Sequence, residues 1–399
     1  MPSISAIHQH TPSKSALLVS LKIAAALAPI FLMVVLVNYF RDPGELFYRR
    51  QGRSPIVELV LQGNHVQQAR APENWGVLQI GFIRGFAARR RAPSVALWGT
   101  SRSAEISQAD FPGTSFFNHC IPGGSVLDYT ALYSLYKEQG QIPRTVIIGI
   151  DPWTFCARSP CQIRNRMYFL PNPKLPLHPR PELEPYYIEG ARRLGVTIPA
   201  FRWQSFKEKL SRMANVFSLT YFQSAVKLNR RAQPQPTPHE AVHGKFVLRR
   251  DGSYSLCPDP ARIDRVEVAD IAKEFARLTG GCCLDSSVMV KEHVQLFDRL
   301  LAALAGDGAR VALYLPPMHP RAYDLLTASQ PNHVESELRK LGAKRGVTVL
   351  GSFNPHQYQL DGVKPWFIDQ YHPSRMAVDL IFRAHANDIQ AICSPTPTR

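Results

Sequence analysis

Between Ala16 and Phe40 the chain reads ALLVSLKIAAALAPIFLMVVLVNYF, twenty-five residues with Lys22 as the one charge. About 20 consecutive apolar residues cross a bilayer as a helix. A stretch apolar on every face has no side to turn to water, so a buried core helix is its other setting. A cleaved signal peptide would occupy the same place, but the apolar region is long and no small-x-small cleavage site follows it. The reading taken is an uncleaved signal anchor over 16–40, with Pro29 inside the span and Tyr39–Phe40 at an interface. Residues 1–15 then form a cytoplasmic tail. Orientation is less constrained. Lys14 and Lys22 lie on the N-terminal side, while Arg41, Arg49, Arg50 and Arg53 follow the span. A literal positive-inside count puts the C-terminal side in the cytoplasm, yet long domains are translocated despite such charges.

The formal charge is 47 − 31 = +16. The segment up to Lys22 holds two Lys and no acid, so 45 − 31 = +14 belongs to the remainder. Nucleic-acid binding calls for clustered Lys and Arg interleaved with aromatics. Here the basic residues are scattered, and the densest run, Arg89, Arg90 and Arg91, is short. Nucleic acid is set aside; anionic lipid or an acidic glycan suits the charge. The cysteines are Cys120, Cys156, Cys161, Cys257, Cys282, Cys283 and Cys393, with no zinc-ribbon spacing. Cys156 and Cys161 are spaced for a small disulfide loop in an oxidising compartment. With no His/Cys cluster and no phosphate loop, neither metal nor organic cofactor is implied.

Residues 41–92 read as an amphipathic helical approach, broken by Pro72 and the Arg run. Short apolar, β-rich runs follow at Val95–Trp98, Ser115–Asn118, Thr145–Ile150, Arg310–Leu315 and Thr348–Leu350. Helical patterns occupy Asp128–Glu138, Lys291–Leu304, His333–Lys344 and Ser374–Ala391. Strands alternating with helices predict a parallel sheet covered on both faces. Five such strands predict a flavodoxin-like, three-layer α/β/α fold. Its core is split into 93–154 and 291–392, with 393–399 as a tail. The gap between the third and fourth strands far exceeds the dozen or so residues of one crossover, so 155–290 is an insertion. It carries Pro171–Glu182, the breaker run Gln233–Pro238 and a hairpin turn at Asp251-Gly252. It emerges at the C-terminal edge of the sheet, as a rim over a cleft or as peripheral packing.

Three segments fall at that edge, where open α/β folds bind ligands. In Val95-Ala-Leu-Trp-Gly-Thr-Ser-Arg102-Ser a strand runs into Gly99 and Ser101 opens a helix, exposing its hydroxyl beside the first helical N–H groups. Alone, Gly-x-Ser fits a helix N-cap as well as a nucleophile. In Phe116-Phe-Asn-His-Cys-Ile-Pro-Gly-Gly-Ser125, Gly123 and Gly124 let backbone approach a ligand and supply a second oxyanion donor, or make a simple strand-to-helix turn. In Trp366-Phe-Ile-Asp-Gln-Tyr-His-Pro-Ser374, Asp369 and His372 are spaced for a carboxylate to fix an imidazole tautomer, leaving His372 to take a proton from Ser101.

In this order the three resemble the SGNH (GDSL-like) hydrolase superfamily over about 93–153 and 308–390. Gly99-Thr-Ser101-Arg is similar to its nucleophile block. Asn118-x-x-x-x-Gly123 is similar to the second block, where the family uses the glycine N–H, and Asp369-x-x-His372 to the block carrying acid and base. The resemblance implies a Ser101–His372–Asp369 triad. After the third strand the family pattern is Gly-x-Asn-Asp, whose Asn donates to the oxyanion. This chain has Gly149-Ile-Asp151-Pro-Trp153. An ionised Asp151 repels an oxyanion, and binding a sugar hydroxyl or holding the loop are its other roles. Arg102 next to the nucleophile suits a carboxylated sugar, and His319 is placed for substrate contact or as a rival base. Trp153 and Trp366 suit core packing or stacking on a sugar.

An anchored extracytoplasmic SGNH domain with Arg after the Ser is also similar to envelope acyl-transfer proteins of alginate acetylation and teichoic-acid D-alanylation. That likeness implies an acyltransferase or esterase acting on an envelope or exported polysaccharide. The partner is then a multi-span membrane O-acyltransferase, and the location the inner membrane with the soluble domain in the periplasm. A non-catalytic glycan-binding component of a polysaccharide assembly complex is the other reading, favoured by Asp151 and the large insertion.

Overall fold

The computed structural model describes residues 14–41, 54–68, 71–72, 75–155, 182–196, 217–219, 222–223, 226, 234–242, 245–255, 291–325, 329–360, 366–369 and 372–394. The chain divides into two compact units, 1–49 with 200–231, and 50–199 with 232–399. The first contains helix α1 (Lys14–Arg41), whose stretch Leu18–Phe40 has a mean hydropathy of 2.4 and is long and apolar enough to cross a membrane. The predicted insertion therefore does not stay together, since 200–231 groups with α1.

The second unit opens with α2 (Pro55–Leu61), β1 (His65–Gln68) and α3 (Trp75–Ala88). The stretch 41–92 is thus not helical throughout. The main sheet is built from β2 (Val95–Trp98), β3 (Phe116–Asn118) and β4 (Thr145–Gly149), with α4 (Val126–Glu138) between the last two. Helix α5 (Glu184–Arg193) and strands β5 (Gln235–Thr237), β6 (Phe246–Leu248) and β7 (Tyr254–Ser255) follow. Then come α6 (Lys291–Gly306), β8 (Arg310–Leu315), α7 (Pro320–Leu325), α8 (Ser329–Arg345), β9 (Thr348–Gly351), α9 (Arg375–Ala384) and α10 (Ala386–Cys393).

Five strands form one all-parallel sheet in the order β3-β2-β4-β8-β9. Numbered among themselves they run 2-1-3-4-5, the order of doubly wound sheets whose ligands bind beyond the carboxyl ends of the strands. Burial explains their composition. A strand covered on both faces reads as a continuous apolar run, and VALW and TVIIG are buried at every position. Helix α4 starts at Val126, two residues before the predicted Asp128, because Ser125 and Asp128 close a capping box. The C-terminal helix expected over Ser374–Ala391 is two helices. His385 breaks it, its Nε2 accepting from Gly351 N at 3.2 Å and Tyr358 OH at 2.9 Å.

A second, antiparallel sheet has the order β5-β1-β6-β7. The expected hairpin turn lies between β6 and β7, with Gly252 at φ +77°. A β-carbon there would collide with Asn118 O and the Phe117 ring, so the turn requires glycine twice over. The hairpin docks on the end of β3 and the loop after β2. Asp251 O accepts from Asn118 N at 2.7 Å, Asp251 Oδ2 from Gln108 N at 2.6 Å, and Ala104 O from Tyr254 N at 3.1 Å. A buried Arg249–Glu105 ion pair at 2.8 Å closes the contact. This part of the insertion supports the loop after Ser101 from beside it.

Candidate active site

Strand β2 ends at Trp98, and the next residues must pass close to the ends of β3 and β4. A β-carbon on Gly99 would lie 3.0 Å from Ser103 Oγ and 3.3 Å from Cys120 Sγ, and one on Gly149 would collide with Ser103. Thr100 then caps a single 3₁₀ turn, Ser101–Ser103, its Oγ1 accepting from Arg102 N at 3.2 Å. Ser101 therefore opens one tight turn and not a long helix, so no macrodipole of several turns acts on it.

The other half of the site is a narrow loop. Phe367 and Pro373 pair across it, Ile368 N donates to His372 O at 2.9 Å, and Ser374 N to Trp366 O at 2.8 Å. Phe367 anchors the loop in a buried cluster with Leu360 and Ala377, against which Trp366 packs. Ser374 Oγ accepts from Ala377 N and starts α9. So held, His372 Nδ1 lies 2.8 Å from both Asp369 carboxylate oxygens, and Asp369 Oδ1 also accepts from the His372 backbone N–H at 2.9 Å. Nδ1–H donating to the carboxylate leaves the Nε2 lone pair for the Ser101 hydroxyl, 2.9 Å away. The geometry joins residues 271 positions apart in the sequence. The His372 side chain keeps 19% of its exposure, so the line is reachable from solvent.

Gly123 sits at φ +66° in the turn before α4. Among the described residues, neither the Ser101 nor the Gly123 N–H enters a hydrogen bond. Gly124 differs from expectation, because its N–H donates to Ile121 O at 2.8 Å and closes the turn. Asn118 also differs. Its amide donates to Ser103 O and Ile106 O at 3.0 and 2.8 Å, its Oδ1 accepts from Cys120 N, and it is buried. Both amide hydrogens are used, so Asn118 ties β3 to the Ser101 loop instead of facing substrate.

Arg102 and Asp151 are placed differently again. Their ion pair, at 3.0 Å, has side chains only 3% and 2% exposed. The same guanidinium donates to Pro316 O at 3.0 Å and Pro317 O at 2.6 Å, and lies 5.3 Å from the centre of the Trp153 ring. Arg102 thereby ties the loops after β2, β4 and β8, with no group turned toward a carboxylated sugar. Burial pushes the Asp151 carboxyl up, against the pull of Arg102. Of the roles open to Asp151, this is loop-holding, and Trp153 is core. His319 is buried, with its ring centre 5.1 Å from that of Phe367 and no hydrogen-bond partner for either nitrogen among the described residues. Burial and then Arg321 depress it to about 4, against Asp369, so it is a neutral ring with no contact to Ser101.

One contributor had no sequence signal. Arg375, at the start of α9, donates to Glu105 O at 2.8 Å and Ser107 Oγ at 3.0 Å and pairs with Asp110 at 2.6 Å. It clamps the histidine loop to the serine loop. Arg at a helix start is ordinary, and nothing in the chain names Asp110 as its partner.

Among the described residues no group of three or more His, Cys, Asp or Glu is arranged to hold a metal ion. Cys120 is a buried free thiol, while the Cys156–Cys161 pair lies outside the described residues. A scan against protein-family models finds no match to the chain, and a search of curated proteins finds no matching relative.

Proposed function

We propose that the chain is a membrane-anchored serine acyltransferase or esterase of SGNH type, acting on an envelope or exported polysaccharide. The observation carrying this reading is the continuous line Ser101 Oγ–His372 Nε2 and His372 Nδ1–Asp369. The position of Ser101 after the first strand of a 2-1-3-4-5 sheet, with Asp-x-x-His returning near the C-terminus, supports the SGNH assignment. Helix α1 supports a membrane anchor; an inner-membrane location with the catalytic unit in the periplasm, and a multi-span O-acyltransferase as partner, belong to the proposal.

The steps follow from the groups present. Ser101 Oγ attacks the acyl carbonyl carbon while its proton passes to His372 Nε2. The negative oxygen of the tetrahedral intermediate takes the N–H groups of Ser101 and Gly123. Collapse expels the donor's alcohol or thiol, which leaves with the proton from His372, and the acyl group stays on Ser101. A sugar hydroxyl or water then gives its proton to His372 and attacks the ester, and Ser101 Oγ leaves with that proton returned from His372. Asp369 stabilises the imidazolium in both halves. Pairing with Arg102 compensates the Asp151 charge that would otherwise oppose the oxyanion, and so weakens the case for a purely binding role.

The test is labelling by a fluorophosphonate together with the acyl content of the purified envelope polysaccharide. Ser101→Ala and His372→Ala are expected to abolish labelling at normal protein levels. Asp369→Asn is milder, since nucleophile and base remain, and the losses do not add. Acyl content falls in Ser101→Ala for a transferase and rises for an esterase. Unchanged acylation with unlabelled wild-type Ser101 would return the chain to the non-catalytic, glycan-binding reading.

A further inference from the structure

The first compact unit contains residues that are neither anchor nor active site. In α1 the covered positions are Val34 and Asn38, with Val35 and Val37 partly covered, while the rest of the described span faces outward. Among the described residues, Phe217 and Ser218 meet this side of α1. Phe217 stacks on Phe31 with ring centres 5.4 Å apart and planes 12° apart. Asn38 Nδ2, on a fully buried side chain, donates to Ser218 O at 3.0 Å. Phe31 lies ten residues before the end of α1, or about 15 Å at 1.5 Å per residue, so it sits near mid-span. Asn38 lies three residues before that end, just inside the interface read at Tyr39–Phe40, and Ser218 O gives its amide a partner there.

We propose that the segment carrying Phe217, Ser218, Leu219, Phe222 and Val226 is a second membrane-embedded element: a re-entrant or interfacial segment lying along α1, with the exposed side chains of Phe217, Leu219 and Val226 in the lipid acyl chains. This rests on reading α1 as a membrane anchor. Between Arg212 and Lys227 the chain reads MANVFSLTYFQSAV, fourteen residues without a charge. About 20 are needed to cross, and a run of about 10–14 fits a buried core helix or a re-entrant or interfacial segment. Phe222 N donates to Ser218 O at 3.0 Å, the internal pairing that lipid demands of backbone. Phe217, Leu219 and Val226 are 52%, 67% and 56% exposed, a composition water does not favour and hydrocarbon does. The flanks Arg202, Lys207, Lys209, Arg212, Lys227, Arg230 and Arg231 against a single acid, Glu208, suit anionic headgroups at the interface.

The experiment uses the full chain in nanodiscs of phosphatidylcholine and phosphatidylglycerol, with bromine placed either deep in the acyl chains or near the headgroups. Leu219→Trp and Val226→Trp are compared with Leu27→Trp in α1 and with the parent chain. Leu219→Trp is expected to lose emission to deep bromines as Leu27→Trp does, and Val226→Trp to the shallow ones beside Lys227. Quenching at Leu27→Trp without any at Leu219→Trp would overturn the proposal, leave the anchor standing, and assign that face to a protein partner. Absence of quenching at both sites would overturn the anchor and the proposal together.

Discussion

A buried charge belongs to whichever groups surround it, and Arg102 is the clearest case in this molecule. It follows the nucleophile directly, which makes it look like a substrate anchor, yet both of its outer nitrogens are spent on Asp151 and on the Pro316 and Pro317 carbonyls. Removing one member of a buried pair leaves the other charge uncompensated, which costs about 3–5 kcal/mol, whereas an apolar replacement of both is far milder. Arg102→Met is therefore expected to lower unfolding stability by about that amount. The double variant Arg102→Met/Asp151→Leu is expected to recover much of it. Urea unfolding of these two, the parent chain and Asp151→Leu measures the coupling. A substrate anchor gives the opposite result, with stability unchanged in Arg102→Met. Asn118 follows the same logic, since its amide is consumed by Ser103 O and Ile106 O.

At the scale of elements, the site depends on two loops held in register by α9. Arg375 is three residues beyond His372 and reaches Glu105 O, Ser107 Oγ and Asp110 on the serine loop. Hydrogen bonds to charged groups contribute roughly 1.5–3 kcal/mol each, enough to fix a loop without supporting the whole sheet. Arg375→Gln is expected to slow fluorophosphonate labelling of Ser101 about tenfold with the sheet still folded, since small misplacements of reacting groups cost rate steeply. Arg375→Lys, keeping the charge but not the fork, should fall between. Equal labelling rates in all three chains would remove the clamp. The five parallel strands were legible to within a residue at each end, because two-sided burial writes itself as an apolar run. The strand β1 was not. Its HVQQ pattern has little β signal, and its partners β5 and β6 lie some 170–180 residues away. The break at His385 was equally hidden, because it comes from Gly351 and Tyr358 and not from a helix-breaking residue. Ser101, Asp369 and His372 were legible as spacing, whereas the roles of Arg102, Asn118 and Gly124 are set by partners distant in the chain.

For the molecule as a whole, the fold carries an imidazole that acid exposes as a weakness. His119 follows β3 and is fully buried, its Nδ1 2.5 Å from Gln79 Oε1 on α3 and its Nε2 2.6 Å from Tyr136 OH on α4. It joins two helices to the edge of the main sheet. Burial depresses it to about 3, against an ordinary value of 6.5. Below pH 6.5 the unfolded chain takes up a proton that the folded chain refuses, so stability falls as pH drops from there toward 3. At 1.36 kcal/mol per unit, His119 alone removes about 2 kcal/mol between pH 7 and pH 5. The buried carboxyls of Asp110 and Asp151 run the other way, since burial raises them and folding then favours their protonated forms. A net charge of +16 adds self-repulsion as other histidines charge. The histidine contribution is isolated by His119→Gln, which keeps an amide between Gln79 and Tyr136 and does not titrate. Chemical unfolding of both full chains in detergent at pH 7.5 and pH 5 is expected to show wild type losing about 2 kcal/mol more than His119→Gln. The variant starts from a lower stability, so the difference between the two pH values is what counts. Parallel pH profiles would mean that the ring is protonated inside the fold, and that the Gln79–His119–Tyr136 bridge tolerates the charge.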